Sequence, residues 1–103
     1  MSKIRTKEID RFFEAILPLE NVEECYSFFE DVCTVKEMND MAQRLFVAEL
    51  LSAGKNYSQI SLLTGSSTAT ISRVSKCLSY GTQGYQLILD RLNDRNNGGS
   101  DDE

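Results

Sequence analysis

The stretch Ser58-Gln-Ile-Ser-Leu-Leu-Thr-Gly-Ser-Ser-Thr-Ala-Thr-Ile-Ser-Arg-Val-Ser-Lys-Cys-Leu-Ser79 decides the fold of this chain. Two short segments with helical apolar spacing, 58–64 and 68–79, flank Gly65-Ser66-Ser67. A helix-turn-helix needs a residue at its turn that tolerates a left-handed backbone, and Gly65 supplies it. It needs a small residue four positions earlier, where the helices touch, and Ser61 stands there. It also needs apolar side chains locking the second helix to the first, for which Ile60, Ile71 and Val74 are placed. Ser67 is a good N-cap for the second helix. The spacing therefore predicts a helix-turn-helix over 58–79.

The second helix of this motif presents Thr68, Ala69, Thr70, Ser72 and Arg73 near its N-terminal end. Short polar groups and methyls in that place suit base edges in a major groove. Ser67 opens the helix, where backbone N–H groups favour phosphate, and Lys55 and Lys76 lie close enough in sequence to add positive charge. Overall charge is −5, which by itself speaks against nucleic acid, but the charge is unevenly spread. Residues 1–49 carry eleven acids and six bases, and residues 90–103 carry five acids and two bases. Residues 50–89 contain no Asp or Glu and hold only Lys55, Arg73 and Lys76, a local charge of +3. An uncharged core segment would also lack acids, but this one is rich in Ser and Thr, which favours a phosphate-facing surface.

Working outward, the rest of the chain is also helical. Upstream, Ile9, Phe12, Phe13, Ile16 and Leu17 follow an amphipathic pattern that Pro18 closes. Asn21 suits an N-cap, with Glu23 and Glu24 in the first turn and Cys25, Phe28, Phe29 and Val32 as the stripe behind it. Thr34-Val-Lys-Glu37 has capping-box spacing and opens a longer helix that Gly54 ends. Downstream, Gly81 ends the second helix of the motif, and Tyr85, Ile88, Leu89 and Leu92 mark a last helix. The tail over 94–103 has no apolar residue and is expected to be disordered. No strand pattern or repeat occurs, so the fold class is all-α. The 103 residues make one domain, over 1–93.

Composition narrows function further. There is no histidine, which removes the commonest metal ligand and the commonest general base. The three cysteines, Cys25, Cys33 and Cys77, form no CxxC pair and are expected to be reduced packing residues. No catalytic or metal site is expected. The N-terminus lacks a signal-peptide core, and no apolar run reaches the roughly 20 residues that cross a membrane, so a cytoplasmic location without membrane contact is expected. Six of the nine aromatic rings fall in the first 46 residues, more apolar surface than half a small domain readily buries, and this points to association.

The run Thr68-Ala-Thr-Ile-Ser-Arg-Val-Ser-Lys-Cys-Leu78 behind Gly65 resembles the recognition helix of the Trp repressor superfamily, and looks closest to its YerC/YecD branch. The likeness extends to Cys33-Thr-Val-Lys-Glu37 and Ala42-Gln-Arg-Leu-Phe-Val-Ala-Glu-Leu-Leu51, covering roughly residues 22–92 in collinear order. It implies six helices intertwined with those of a second copy, with segments 5–54 and 83–93 as the dimerisation helices. Two recognition helices would then enter successive major grooves about 34 Å apart on a palindromic site. It also implies a place for an amino-acid-like corepressor. In the tryptophan-sensing member two arginines sandwich the indole, and their counterparts here are Arg44 and Arg73; Thr34 matches a further pocket residue. Val74 stands where that sensor has glycine, and Cys77 where it has a serine, which argues against tryptophan itself.

Plainer roles remain open for several of these residues. Arg44 suits an ion pair with Glu37, Asp40 or Glu49, and Arg73 suits a phosphate. The five phenylalanines suit a core. The leading expectation is a homodimeric DNA-binding regulator acting as a repressor. The alternative is a helical adaptor that docks other proteins through the helix-turn-helix. An enzyme would have to work with carboxylates alone.

Overall fold

The computed structural model describes residues 4–101, and among these it contains six helices and no strand. They are α1 (Lys7–Ile16), α2 (Val22–Val32), α3 (Val35–Ser52), α4 (Tyr57–Thr64), α5 (Thr68–Tyr80) and α6 (Gly84–Asp101). The chain divides into two compact units, Met1–Met38 and Asn39–Glu103.

Side-chain caps set most of the helix starts. Thr6 accepts a hydrogen bond from the Ile9 backbone N–H at 3.1 Å and opens α1, which stops just short of Pro18. Asn21 accepts from the Glu24 N–H at 2.8 Å and opens α2, while the Glu24 carboxylate accepts from the Glu20 N–H at 2.9 Å. At α3 the Thr34 hydroxyl accepts from the Glu37 N–H at 3.1 Å and the Glu37 carboxylate from the Thr34 N–H at 2.8 Å, the reciprocal capping box expected from sequence. Asn56 and Gln59 form a second capping box at α4, so that helix begins at Tyr57 rather than at 58.

In the N-terminal unit, Phe12 of α1 meets Phe28 and Phe29 of α2 with ring centroids 6.0 and 6.3 Å apart, and Phe28 meets Phe29 edge-on at 5.3 Å. These three rings are only half-buried, Phe13 is exposed, and neither α1 nor α2 buries a single residue. The phenylalanines expected to suit a core are therefore not enclosed by α1 and α2 alone, because two short helices are too thin to surround an aromatic cluster. Phe46 of α3 is exposed as well.

The C-terminal unit has a closed core. Val47 and Ala48 of α3, Ile60 of α4, Ile71 and Val74 of α5, and Leu89 of α6 are buried together, with Leu45, Leu50, Leu51, Leu78 and Tyr85 packed around them. Burying a Val, Leu or Ile side chain stabilises a fold by about 1.5–3 kcal/mol. These contacts therefore hold α4 and α5 in a fixed relation to α3 and α6. At the end of α3, Lys55 N–H bonds the Leu50 carbonyl and Gly54 N–H the Leu51 carbonyl, both at 3.0 Å, which turns the chain sharply into α4.

Two expectations change. Cys77 is exposed rather than packed, at the border of the buried stripe of α5 formed by Ile71, Val74 and Leu78; Cys25 and Cys33 are half-buried, and all three thiols are free. The last helix was expected to end near 93 and give way to a disordered tail, but its backbone is helical as far as Asp101. No proline interrupts that stretch, and Arg91 stands three residues from Asp94, the spacing of a favourable opposite-charge pair. Residues 102–103 of the expected tail lie outside the described residues. Among the described residues no helix is long and apolar enough to cross a membrane.

Candidate nucleic-acid interface

The turn between α4 and α5 is built as the sequence motif requires. Gly65 sits at φ +74°, in the left-handed region, and its N–H bonds the Ser61 carbonyl at 2.8 Å. Ser61 donates its hydroxyl to the Ser66 carbonyl at 3.1 Å, so the small residue in α4 also stitches the turn. Thr64 donates to the Ile60 carbonyl at 2.8 Å and accepts from the Ser66 N–H at 3.0 Å. Gln43 of α3 donates to the Thr64 carbonyl at 2.9 Å, anchoring the turn from behind.

Ser67 caps α5 through its hydroxyl oxygen, which accepts from the Thr70 N–H at 3.1 Å. The same hydroxyl donates to Thr70 Oγ1 at 3.2 Å, so Thr70 keeps its own proton to offer outward. Along α5, Ile71, Val74 and Leu78 point into the core. Ala69, Arg73 and Lys76, at the i, i+4, i+7 spacing of one helical face, are all exposed. Thr68 is exposed beside them, and Thr70 and Ser72 are half-buried at the edges of that face. Lys55 is exposed at the turn between α3 and α4. Apart from Lys55, the candidate base-reading and phosphate-contacting residues thus lie on the cap, outer face and edges of α5, whose opposite side is locked to the core, and residues 50–89 contain no Asp or Glu.

The candidate ligand residues are only partly drawn together. Arg44 of α3, Arg73 and Cys77 of α5 all act electrostatically on the phenol of Tyr85 in α6. Burial raises the Tyr85 hydroxyl above the usual tyrosine value of 10.0, the Cys77 thiol adds to that rise, and the two arginines oppose it. A largely apolar cavity of about 550 Å³ opens beside them, walled by Leu45, Cys77, Gly81, Tyr85 and Ile88. Thr34 lies in the N-terminal unit, where its hydroxyl serves the α3 cap.

Tyr85 is a residue that sequence reading missed as part of a site. In the sequence it is one member of an apolar stripe, and only the fold brings it to residues 8, 12 and 41 positions away. A second missed feature is a groove of about 540 Å³ between α4 and the start of α5, lined by Tyr57, Ser58, Ser61, Leu62 and Thr68. Its only trace in the sequence is a leucine pair, Leu62-Leu63, which helical spacing cannot bury on one face. Among the described residues no group of three or more Cys, Asp or Glu side chains is arranged to hold a metal ion.

Comparison with known proteins gives a consistent result. The family model described as Trp repressor protein matches residues 7–93. The uncharacterised protein YerC of Bacillus subtilis (strain 168) is 51% identical over 92 residues, spanning 89% of this chain and 88% of that protein. A crystal structure of a candidate Trp repressor from Staphylococcus aureus matches with a TM-score of 0.85 at 50% identity, covering 88% of this chain and 91% of that one. The crystal structure of a TrpR-like protein from Eubacterium eligens ATCC 27750 matches with the same TM-score at 45% identity, over 88% and 94% of the two chains.

Proposed function

The chain belongs to the Trp repressor family, and on that premise we propose that it is a sequence-specific DNA-binding transcriptional regulator, a repressor that grips a palindromic operator as a homodimer. The family suggests a DNA-binding regulator rather than an enzyme. The observation that carries the proposal is the outer side of α5: Thr68, Ala69, Arg73 and Lys76 are exposed on it with Thr70 and Ser72 at its edges, the helix itself carries no acid, and Ile71 and Val74 hold it to the core.

In this reading α5 is the recognition helix. Thr68, Ala69, Thr70 and Ser72 meet base edges through hydroxyls and methyls, and Lys55, Arg73 and Lys76 neutralise phosphates. Ser67 sets the first turn of α5, where backbone N–H groups face the DNA backbone. The N-terminal unit supplies the pairing surface: its aromatic cluster buries no residue within the unit, as a face completed by a second chain requires. A small amino-acid-like corepressor, bound by Arg44, Arg73 and Cys77 with Thr34, remains part of the proposal, with Val74 and Cys77 disfavouring tryptophan. The work of the regulator is in the cytoplasm.

The test is selection of binding sites from a random duplex pool by the purified protein, with and without a mixture of amino acids, followed by fluorescence anisotropy at two salt concentrations. A palindromic site whose affinity falls steeply with salt is the expected result, since each neutralised phosphate releases counterions. Recovery without the mixture makes the regulator constitutive, and recovery only with it assigns a corepressor. No enrichment under either condition overturns the DNA-binding reading and favours the docking of other proteins through the same two helices.

A further inference from the structure

Leu62 is the most unusual residue of the α4 surface. Its neighbour two positions back, Ile60, is fully buried, whereas Leu62 is 87% exposed. An isolated exposed leucine is ordinary on a protein surface. This one is not isolated: it lines the groove of about 540 Å³ that runs from α4 to Thr68, the first residue of α5. Tyr57, 39% exposed, lines the same groove and offers an aromatic edge, and Ser58 adds a hydroxyl. Ser61 in the groove is already committed to the Ser66 carbonyl, so it shapes the wall rather than meeting a partner.

Charge decides what kind of partner this groove accepts. The groove lies wholly within the acid-free stretch 50–89, whose only charged residues are Lys55, Arg73 and Lys76. None of the residues lining the groove carries a carboxylate, so a basic peptide finds no charge partner among them and a phosphate meets no like charge there. Thr68 lines the same groove, so Leu62 and the first residue of α5 border one depression. Among the groups a DNA major groove displays, one is apolar: the thymine C5-methyl.

We infer that Leu62 is a specificity-determining residue whose methyl groups pack on the C5-methyl of an operator thymine, extending base readout from α5 onto α4. This inference rests on the DNA-binding reading above. Leu62 carries no hydrogen-bonding group, so it discriminates thymine only through that methyl. Tyr57 and Ser58 flank it, fixing how deeply α4 sits in the groove.

The experiment pairs a protein change with a DNA change. Thymines of the selected operator are replaced one at a time by deoxyuridine, which deletes only the methyl, and each duplex is titrated with wild-type protein and with Leu62→Ala. Because Leu62 is exposed, the substitution leaves the core intact, and circular dichroism with thermal melting verifies this. At one thymine, deoxyuridine is expected to weaken wild-type binding by about fourfold, the value of one buried methyl-sized group. At that same position Leu62→Ala is expected to bind thymine and deoxyuridine equally. Specific binding by both proteins with the same response to every deoxyuridine overturns the inference while leaving the DNA-binding reading in place. Loss of self-association in Leu62→Ala, measured by light scattering, with unchanged base preference, overturns it in favour of a contact between copies. Absence of any specific site for the wild type removes both.

Discussion

On the DNA-binding reading single residues carry distinct duties, and substitutions separate them. Thr70 has its N–H capped by Ser67 and its Oγ1 accepting the Ser67 proton, so Thr70→Ala leaves the cap intact while deleting a hydroxyl aimed outward. Binding to the operator is expected to fall by about 1–3 kcal/mol, with the preference relaxed at one base position. Lys76→Ala removes an exposed charge instead, and is expected to weaken all duplexes alike and to reduce the salt slope by about 1. Anisotropy titrations on operator and scrambled DNA at several salt concentrations distinguish the two; equal losses for both variants on every duplex contradict the division of labour. Tyr85 gives a prediction about pH. Burial raises its hydroxyl above 10.0, so the folded state holds the phenolic proton longer than the unfolded chain does. Its contribution is fully present below pH 10 and is lost as pH climbs beyond it, because the unfolded state deprotonates first. Thermal melts between pH 9 and 12 are expected to show a shallower decline for Tyr85→Phe than for wild type. A parallel decline would show that the phenol is no better shielded folded than unfolded. No local spacing reveals Tyr85 as a neighbour of Arg44, Arg73 and Cys77, whereas Thr70 and Lys76 are legible from the helix face alone.

At the level of the element, local signals are legible in the sequence where the cause of the structure is itself local. Asn21, Thr34 with Glu37, Gly65 and Ser67 act within three or four residues of themselves, and each was legible as a cap or turn from its spacing. The Asn56–Gln59 box obeys the same chemistry and starts α4 at Tyr57, one residue before the 58 given by apolar spacing, which does not register a polar cap. The extent of α6 is not legible for the opposite reason: polar composition speaks to burial, not to whether an exposed backbone stays helical. Exposure of Cys77 and of the phenylalanines depends on which elements cover them, and no single segment encodes that. The turn itself yields a contrast between two glycines. Gly65→Ala has room for its methyl but must hold φ at +74°, so it is expected to destabilise by about 1 kcal/mol. Gly84→Ala meets no close neighbour and no left-handed backbone at the start of α6, and is expected to stabilise by about 0.4–1 kcal/mol. Urea unfolding of both variants measures the two signs, and a stabilised Gly65→Ala would mean that the turn does not need its left-handed residue.

The whole molecule joins two units of unlike character. The Asn39–Glu103 unit encloses Val47, Ile60, Ile71 and Val74 by itself, whereas the helices α1 and α2 of the Met1–Met38 unit bury none of their residues. If the aromatic face of the first unit is completed by a second chain, light scattering at micromolar concentration is expected to give a mass near twice 11.6 kDa. A mass near 11.6 kDa would remove the homodimer from the proposal. Melting temperature is expected to rise with protein concentration for the same reason. The division has a consequence for inheritance. The side chains proposed for pairing, Phe12, Phe28 and Phe29, share no residue with those proposed for DNA contact, Thr70 and Lys76. If the chain pairs as proposed, an allele that spoils only the latter still makes chains able to pair, and in a cell carrying both alleles most partnerships then contain a defective half. Such an allele behaves as dominant and worsens with dosage, while an allele that disrupts the phenylalanine cluster is silent beside an intact copy.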